Sequence, residues 1–315
     1  MKNKNSCLII GLGKIGMGDK TRMINNNQLT HVNTIKKHEK FELIGAIETN
    51  IKKRSIFEKE QNKPSYKEIK DLPNNTTIDL VIISSPTNSH LEITKKLLKY
   101  IKPKIILFEK PFGNSLKGAK KISAICEKKK VKIFINYPRH TLPESLIVKT
   151  HVKNKDIKGK VIITNGVQNT GSHFIELMSF LFGKIVSIKR TSQIERLKND
   201  FTCNFTLIYK KATIEFYHKR NIKKGNYSIS LSNLDIDLLW TQFIEKYNKK
   251  NKVKMVIKIN NKKNRIKKLI NVKLQKYQFY VYNEIHKYIA GKKNEICDHN
   301  NGIAVQEILN SLKKS

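Results

Sequence analysis

The sequence predicts an α/β protein in two parts: a doubly wound parallel sheet first, then an α+β domain whose sheet is antiparallel or mixed. Three observations carry this reading. Short apolar runs rich in Ile and Val recur through the first part, with helical patterns between them. A glycine-rich loop follows the first of these runs. After about residue 137 the rhythm changes to consecutive strand-like runs with few helices between them.

The apolar runs are Cys7–Ile10, Phe41–Ile47, Asp79–Ser84, Ile105–Phe108 and Val131–Ile135. Each is short and nearly continuous, as expected of strands buried on both faces. Leu91–Tyr100 and Leu116–Lys129 read as helices between them, which gives a βαβ rhythm and right-handed crossovers. In the second part, a helix over Pro143–Lys153 leads into a strand at Gly159–Ile163, and a short helix runs from His173 to Phe182. Strands are expected at Ile185–Ile194, Phe201–Tyr209, Ala212–Tyr217, Tyr227–Ser232 and Val253–Ile259. Helices over Lys276–Ala290 and Asn301–Lys313 close the chain. The domain boundary is expected between residues 136 and 137, giving a domain of 1–136 and another of 137–315.

A chain of 315 residues is long enough for two domains with a core each. No stretch approaches the roughly 20 apolar residues that span a bilayer, so no membrane role is expected. The N-terminal residues lead directly into the first strand and leave no room for a removable signal peptide. The cysteines Cys7, Cys126, Cys203 and Cys297 are scattered, with no zinc spacing, and read as reduced thiols in a cytoplasmic protein. No His, Cys, Asp and Glu cluster has metal-ligand spacing, and no metal is expected.

The net charge of +38 comes almost wholly from lysine, with seven arginines among 63 basic residues. Residues 246–293 concentrate it, with 16 basic residues against Glu284. A polyanion surface would draw on arginine for bidentate phosphate contacts. This stretch holds only Arg265, and its lysines alternate with apolar residues, as on the wet face of a half-buried strand. Nucleic acid is therefore not the expected partner. A positive field that steers an anionic small molecule is the milder reading.

The loop Gly11-Leu12-Gly13-Lys14-Ile15-Gly16 follows a strand and precedes a helix, the context of a dinucleotide-binding fingerprint. Gly11 allows the turn, Gly13 lets a pyrophosphate approach the backbone, and Gly16 allows close helix packing. With Lys14 and Ile15, these residues define a Rossmann-type cofactor site. Glu48 ends the second strand, where an acid bonds the adenosine ribose hydroxyls. A carboxylate there repels a 2′-phosphate and favours NAD, with NADP as the alternative because Lys52, Lys53 and Arg54 lie close by. Glu48 lies 32 residues past Gly16, where about 20 is usual, and the excess is read as an insertion over Met17–Leu29.

Glu109-Lys110-Pro111 leaves the fourth apolar run, and His173 lies in Gly171-Ser172-His173-Phe174-Ile175-Glu176-Leu177. With the glycine loop, Ser85-Pro86-Thr87-Asn88-Ser89-His90 and Asn136-Tyr137-Pro138-Arg139, these segments resemble the Gfo/Idh/MocA family of oxidoreductases over nearly the whole chain. The resemblance implies a Rossmann domain followed by a domain with a large, mostly antiparallel sheet. One face of that sheet lines the substrate pocket and the other makes a homodimer or homotetramer. It also implies that Ser85, Pro86, Asn88, His90, Glu109, Lys110 and Asn136 line the cofactor, and that Arg139 and the position of Asn169 face the substrate. The substrate class it implies is a sugar, nucleotide-sugar or polyol.

Oxidising an alcohol removes a proton from oxygen while hydride leaves carbon. Lys110 suits the proton step, because a buried lysine near other cations has a lowered pKa. His173 is its candidate partner near neutral pH. Many relatives carry an aspartate where this chain has Asn169, and an amide cannot take up a proton as a carboxylate does. Lys110 and His173 are therefore the expected acid–base pair. Glu176 reads as a supporting or helix-packing group. His140 reads as structural or cofactor-lining rather than catalytic, and no sequence pattern assigns a role to His31. The alternative reading is a non-catalytic dinucleotide-binding sensor or assembly protein of the same fold.

Overall fold

The computed structural model describes residues 4–18, 30–73, 76–198, 200–219, 227–247, 250–261, 266–273 and 276–314. The chain forms two compact units. One comprises Met1–Pro138 with Gln275–Gln306, and the other Arg139–Leu274 with Glu307–Ser315. The sequence reading drew one boundary, at 136/137; contacts return residues 275–306 to the first unit. The reason is packing: Val281, Tyr282 and Ile285 are buried in the first unit's core. Among the described residues, no helix is long and apolar enough to cross a membrane.

The first unit is built on strands β1 (Asn5–Ile10), β2 (Phe41–Ile47), β3 (Ser65–Tyr66), β4 (Leu80–Ile83), β5 (Ile105–Phe108) and β6 (Lys132–Ile135). They pair in the order β3-β2-β1-β4-β5-β6, and every pair is parallel. All four residues of β4 and of β5 are buried, as continuous Ile, Leu and Val runs dictate in a sheet covered on both faces. The strand order reverses between β1 and β4, and such a switch point opens a crevice beyond the carboxyl ends of the strands. Helices α1 (His31–Lys37), α2 (Ile51–Gln61), α3 (His90–Tyr100) and α4 (Leu116–Lys128) belong to this unit. Thr30, Asn50 and Ser115 cap α1, α2 and α4 by accepting from backbone N–H groups two or three residues into each helix.

The excess spacing before Glu48 has a structural origin. The N–H of His31 donates to the Ile15 carbonyl, and that of Val32 to the Gly16 carbonyl, both at 3.0 Å. In an unbroken helix those donors would be residues 19 and 20. The ladder thus resumes twelve positions late, and without those positions the 32-residue interval from Gly16 to Glu48 becomes the usual spacing of about 20. The insertion is spliced into the first helix after a single turn. Its residues 19–29 lie outside the described residues.

The second unit carries helix α5 (Pro143–Val152), strand β7 (Ile157–Ile163) and helix α6 (Ser172–Phe182). The strands β8 (Ile185–Arg190), β9 (Glu195–Leu197), β10 (Asp200–Thr202), β11 (Phe205–Tyr209), β12 (Ala212–His218) and β13 (Tyr227–Ser232) follow. The last strands are β14 (Ile236–Tyr247), β15 (Lys250–Asn261) and β16 (Ile266–Lys273). Eight of them form one sheet in the order β16-β15-β14-β13-β7-β12-β11-β8, antiparallel except for the β7–β12 pair. The sequence reading left residues 233–252 unassigned and placed no strand at β16, so it missed the two strands that flank β15. It also ran Phe201–Tyr209 as one strand, where the chain makes two that pair with different partners. Helices α7 (Tyr277–Ile289) and α8 (His299–Lys314) close the chain, as expected.

Register lines up one continuous row of large side chains across this sheet: Phe205, Phe216, Val161, Ile229, Trp240 and Ile257 are cross-strand neighbours in turn. All six are fully or almost fully buried, and the rings of Phe205 and Phe216 stack at 4.5 Å. Lys258 is exposed between buried Ile257 and Ile259, the wet-face pattern expected of it.

Trp240 and Leu239 point to opposite faces of β14, and only Trp240 is fully buried. Trp240→Ala is expected to cost about 3–5 kcal/mol of unfolding free energy through cavity formation. Leu239→Ala is expected to stay within about 0.5 kcal/mol. Denaturant titration followed by far-UV circular dichroism measures both.

Candidate active site

Five parallel strands of the first unit end on residues that the sequence singled out. β1 runs into Gly11, β2 into Glu48, β4 into Ser84 and Ser85, β5 into Glu109 and Lys110, and β6 into Asn136. Strand ends on one edge of an open α/β sheet are where such folds bind ligands.

The three glycines have separate physical reasons. Gly11 has φ of +98°, and a Cβ there would lie 2.8 Å from the Ser85 nitrogen, so a side chain would force β1 and β4 apart. A Cβ on Gly16 would strike the Gly11 carbonyl and come within 2.9 Å of Ser84 Oγ. A Cβ on Gly13 would meet nothing within 4 Å, so its backbone faces open space. Exposed Lys14 and half-buried Ile15 complete the loop. Ser84 Oγ donates to the Gly11 carbonyl at 2.7 Å, which fastens the loop to the end of β4.

Glu48 is tied to the same loop. Its Oε2 accepts from the Leu12 N–H at 2.8 Å, and its Oε1 accepts from the Asn50 N–H at 3.0 Å. Burial alone would raise its pKa; these two amides and the Lys53 ammonium outweigh burial and hold it below the ordinary carboxylate value. Arg54, weighed as a 2′-phosphate partner, instead donates to the backbone carbonyls of Glu48 and Thr49 at 2.8 and 3.0 Å.

The segment after β4 turns tightly. Ser89 Oγ donates to Ser85 Oγ at 2.9 Å and to the Pro86 carbonyl at 2.7 Å, leaving Pro86 and Asn88 exposed at the tip. His90 is fully buried, with Nδ1 3.1 Å from the Phe112 carbonyl and Nε2 3.2 Å from the Ser85 carbonyl. Burial depresses its pKa and those carbonyls partly offset the effect. It therefore ties the turn after Lys110 to the turn after β4. The Lys110–Pro111 bond between these anchors is cis.

Glu109 sits in a hydrogen-bonded group that sequence reasoning missed. Its Oε1 accepts from Asn136 Nδ2 at 2.5 Å and lies 3.0 Å from Nε2 of fully buried His31. His31 Nδ1 lies 3.0 Å from the hydroxyl of Tyr282, also fully buried. Burial would raise the Glu109 pKa, but His31, Asn136 and the Lys110 charge reverse this and hold it low. No local sequence signal marks His31 or Tyr282, which are 251 residues apart.

In the second unit, Val167–Gly171 forms a π turn that runs directly into α6. Such turns are rare and concentrate at functional sites. Asn169 is exposed within it, and His173 is half-buried as the second residue of α6. The Asp200 carboxylate accepts from the N–H groups of Gln168 and Asn169, both at 2.8 Å, and so caps the turn. Arg139 lies between the rings of Phe174 and Tyr227, at 4.7 and 5.1 Å from their centroids. Glu176 is buried and pairs with His140 Nδ1 at 2.5 Å.

Residues 5–137 match the family model GFO_IDH_MocA, described as "Oxidoreductase family, NAD-binding Rossmann fold". No curated protein matches the sequence. Solved structures match along the whole chain at low identity. UDP-N-acetylglucosamine 3-dehydrogenase from Acidithiobacillus ferrooxidans has a TM-score of 0.75 at 13% identity, covering 98% of this chain and 97% of its own. An oxidoreductase from Agrobacterium radiobacter in complex with NAD+, L-tartaric acid and magnesium has a TM-score of 0.75 at 12% identity, covering 99% and 96%. A super-repressor mutant of Gal80p from Saccharomyces cerevisiae has a TM-score of 0.78 at 13% identity, covering 99% and 95%. At these identities the likeness is one of fold.

The directions of the pKa shifts set a pH profile for stability. Glu109, held low, contributes stability that is complete above about pH 4.3 and lost as pH falls through its lower folded value. His90, also held low, contributes stability that is complete above about pH 6.5 and erodes as pH falls below that, because the unfolded ring takes up a proton first. Glu109→Gln is expected to lower the melting temperature at pH 7, with the deficit shrinking as pH falls below about 4.3. His90→Gln is expected to flatten the decline between about pH 6.5 and 5. Melting temperatures across this range check both.

Proposed function

We propose that the protein is an NAD(H)-dependent oxidoreductase that interconverts a secondary alcohol and a ketone on a sugar, nucleotide-sugar or polyol. The observation that carries this reading is the gathering of the glycine loop, Glu48 and Glu109-Lys110-Pro111 at the carboxyl ends of one parallel sheet. The residues fit the dinucleotide: the face of Gly13 is open, the first turn after it offers backbone N–H groups, and Glu48 ends β2. The ribose hydroxyls fall to Glu48, whose charge disfavours a 2′-phosphate, so NAD is the proposed cofactor and NADP the alternative. When bound, the nicotinamide accepts or donates the hydride.

The chain's own residues handle the proton. Lys110 takes it from the substrate hydroxyl in oxidation and returns it in reduction. His173 is the second acid–base group, and Asn169 and Arg139 bind substrate, Asn169 through an amide that orients a hydroxyl without taking its proton. The excess of positive charge supports an anionic substrate such as a nucleotide-sugar, drawn in by the protein's field. A cytoplasmic homodimer or homotetramer assembled through the second unit's sheet completes the proposal.

Asn169 also favours a second reading, a dinucleotide-binding sensor without turnover, and the super-repressor mutant of Gal80p shares the fold. The two separate on a panel of polyols, sugars and nucleotide-sugars with NAD+ or NADH. The enzyme reading expects nicotinamide absorbance changes with at least one substrate, and a loss of at least about 100-fold in turnover in Lys110→Ala with NADH binding retained. Binding without turnover across the panel favours the sensor, and turnover unchanged in Lys110→Ala contradicts the assignment of Lys110.

The cofactor assignment has its own test. Glu48→Ala is expected to weaken NADH binding about tenfold, about 1.4 kcal/mol, and to narrow the gap between NADH and NADPH. Fluorescence titration with both cofactors measures it.

A further inference from the structure

We propose that His31 is a positioning residue that couples the dinucleotide loop to Lys110, an inference that rests on the reading of Lys110 as the proton-handling group. Two bonds from one residue carry it. The backbone N–H of His31 donates to the carbonyl of Ile15 in the glycine loop at 3.0 Å. Its ring Nε2 reaches Glu109, the neighbour of Lys110, at 3.0 Å. His31 is also the first residue of α1, where the helical ladder resumes after the insertion. Any shift of the loop is therefore transmitted to the carboxylate beside Lys110.

Hydrogen-bond bookkeeping fixes the direction of each bond. Glu109 is acceptor-only as a carboxylate, so Nε2 carries a ring proton; in the neutral ring Nδ1 then accepts from the Tyr282 hydroxyl. Asn136 Nδ2 donates to the same Glu109 oxygen. Tyr282 is fixed in turn by its edge-on contact with Phe41, at 5.3 Å between centroids. Cys7 and His38 are the other titratable groups around Tyr282. The chain Tyr282–His31–Glu109–Asn136 thus brings together α7, α1 and the ends of β5 and β6, all within the first unit. Without the His31 donor, the Glu109 carboxylate is less neutralised beside the Lys110 charge that it already feels, which raises that lysine's hold on its proton.

The test needs no substrate. Purified protein is labelled with trinitrobenzenesulfonate, which attacks only unprotonated amines, and labelling at Lys110 is quantified by peptide mass spectrometry as a function of pH. His31→Ala and Tyr282→Phe are expected to slow labelling of Lys110 at least about threefold at pH 8, the effect of a half-unit rise in proton affinity. Other lysines should label as in the wild type. His31→Gln, whose amide can donate to Glu109 and accept from Tyr282, is expected to restore most of the rate. NADH titration of His31→Ala is expected to show weakened binding as well. Wild-type labelling of Lys110 in His31→Ala overturns the proposal, as it does in Tyr282→Phe should the alanine variant fail to fold. Because labelling does not depend on turnover, absence of dehydrogenase activity in the wild type would count against the proposed function and leave this measurement intact.

Discussion

The rest of the first unit depends on a mostly buried carboxylate placed where a parallel sheet ends. Glu109 follows β5, a strand with all four residues buried, and an ionised acid there is costly unless donors meet it. The donors come from far away in sequence: Asn136 from the end of β6 and His31 from α1, the latter held by Tyr282 on α7. Satisfying one charge therefore requires these four segments to be in place at once. That requirement accounts for a chain that returns to its first unit after completing a large second sheet.

A second constraint is the close approach of the glycine loop to β4. Gly11 lies against the Ser85 backbone, and Gly16 lies against the Gly11 carbonyl, so the loop has no space for side chains on its inner side. On its outer side, Gly13 is open. Crowding within and space without leave the loop as a cradle whose outer backbone is open. The insertion respects this geometry. It enters after one turn and rejoins the ladder at the carbonyls of Ile15 and Gly16, so the cradle is preserved while the sequence spacing is stretched.

The strand ends were legible in the sequence because each is announced locally. A buried parallel strand reads as an unbroken Ile and Val run, and Gly11, Glu48, Lys110 and Asn136 each lie immediately beyond one. The insertion was legible as an anomalous spacing, though not the point at which the helix resumes. His31, Tyr282 and Asp200 were not legible, because their roles arise only when distant segments meet. Asp200 caps a π turn 31 residues upstream, and His31 and Tyr282 are separated by almost the whole chain. The strands β14 and β16 were missed for a different reason. Their alternation of polar and apolar residues is irregular, and they are fixed as strands by pairing with β15 and β13 rather than by their own pattern.

The most direct measurement of the central claim is a crystal structure of the protein grown with NADH. The account predicts the pyrophosphate over Gly13, the adenosine ribose hydroxyls on Glu48, and the nicotinamide ring beside Lys110. A dinucleotide bound away from the ends of β1, β2 and β5, or bound with its adenine beside Lys110, would contradict it.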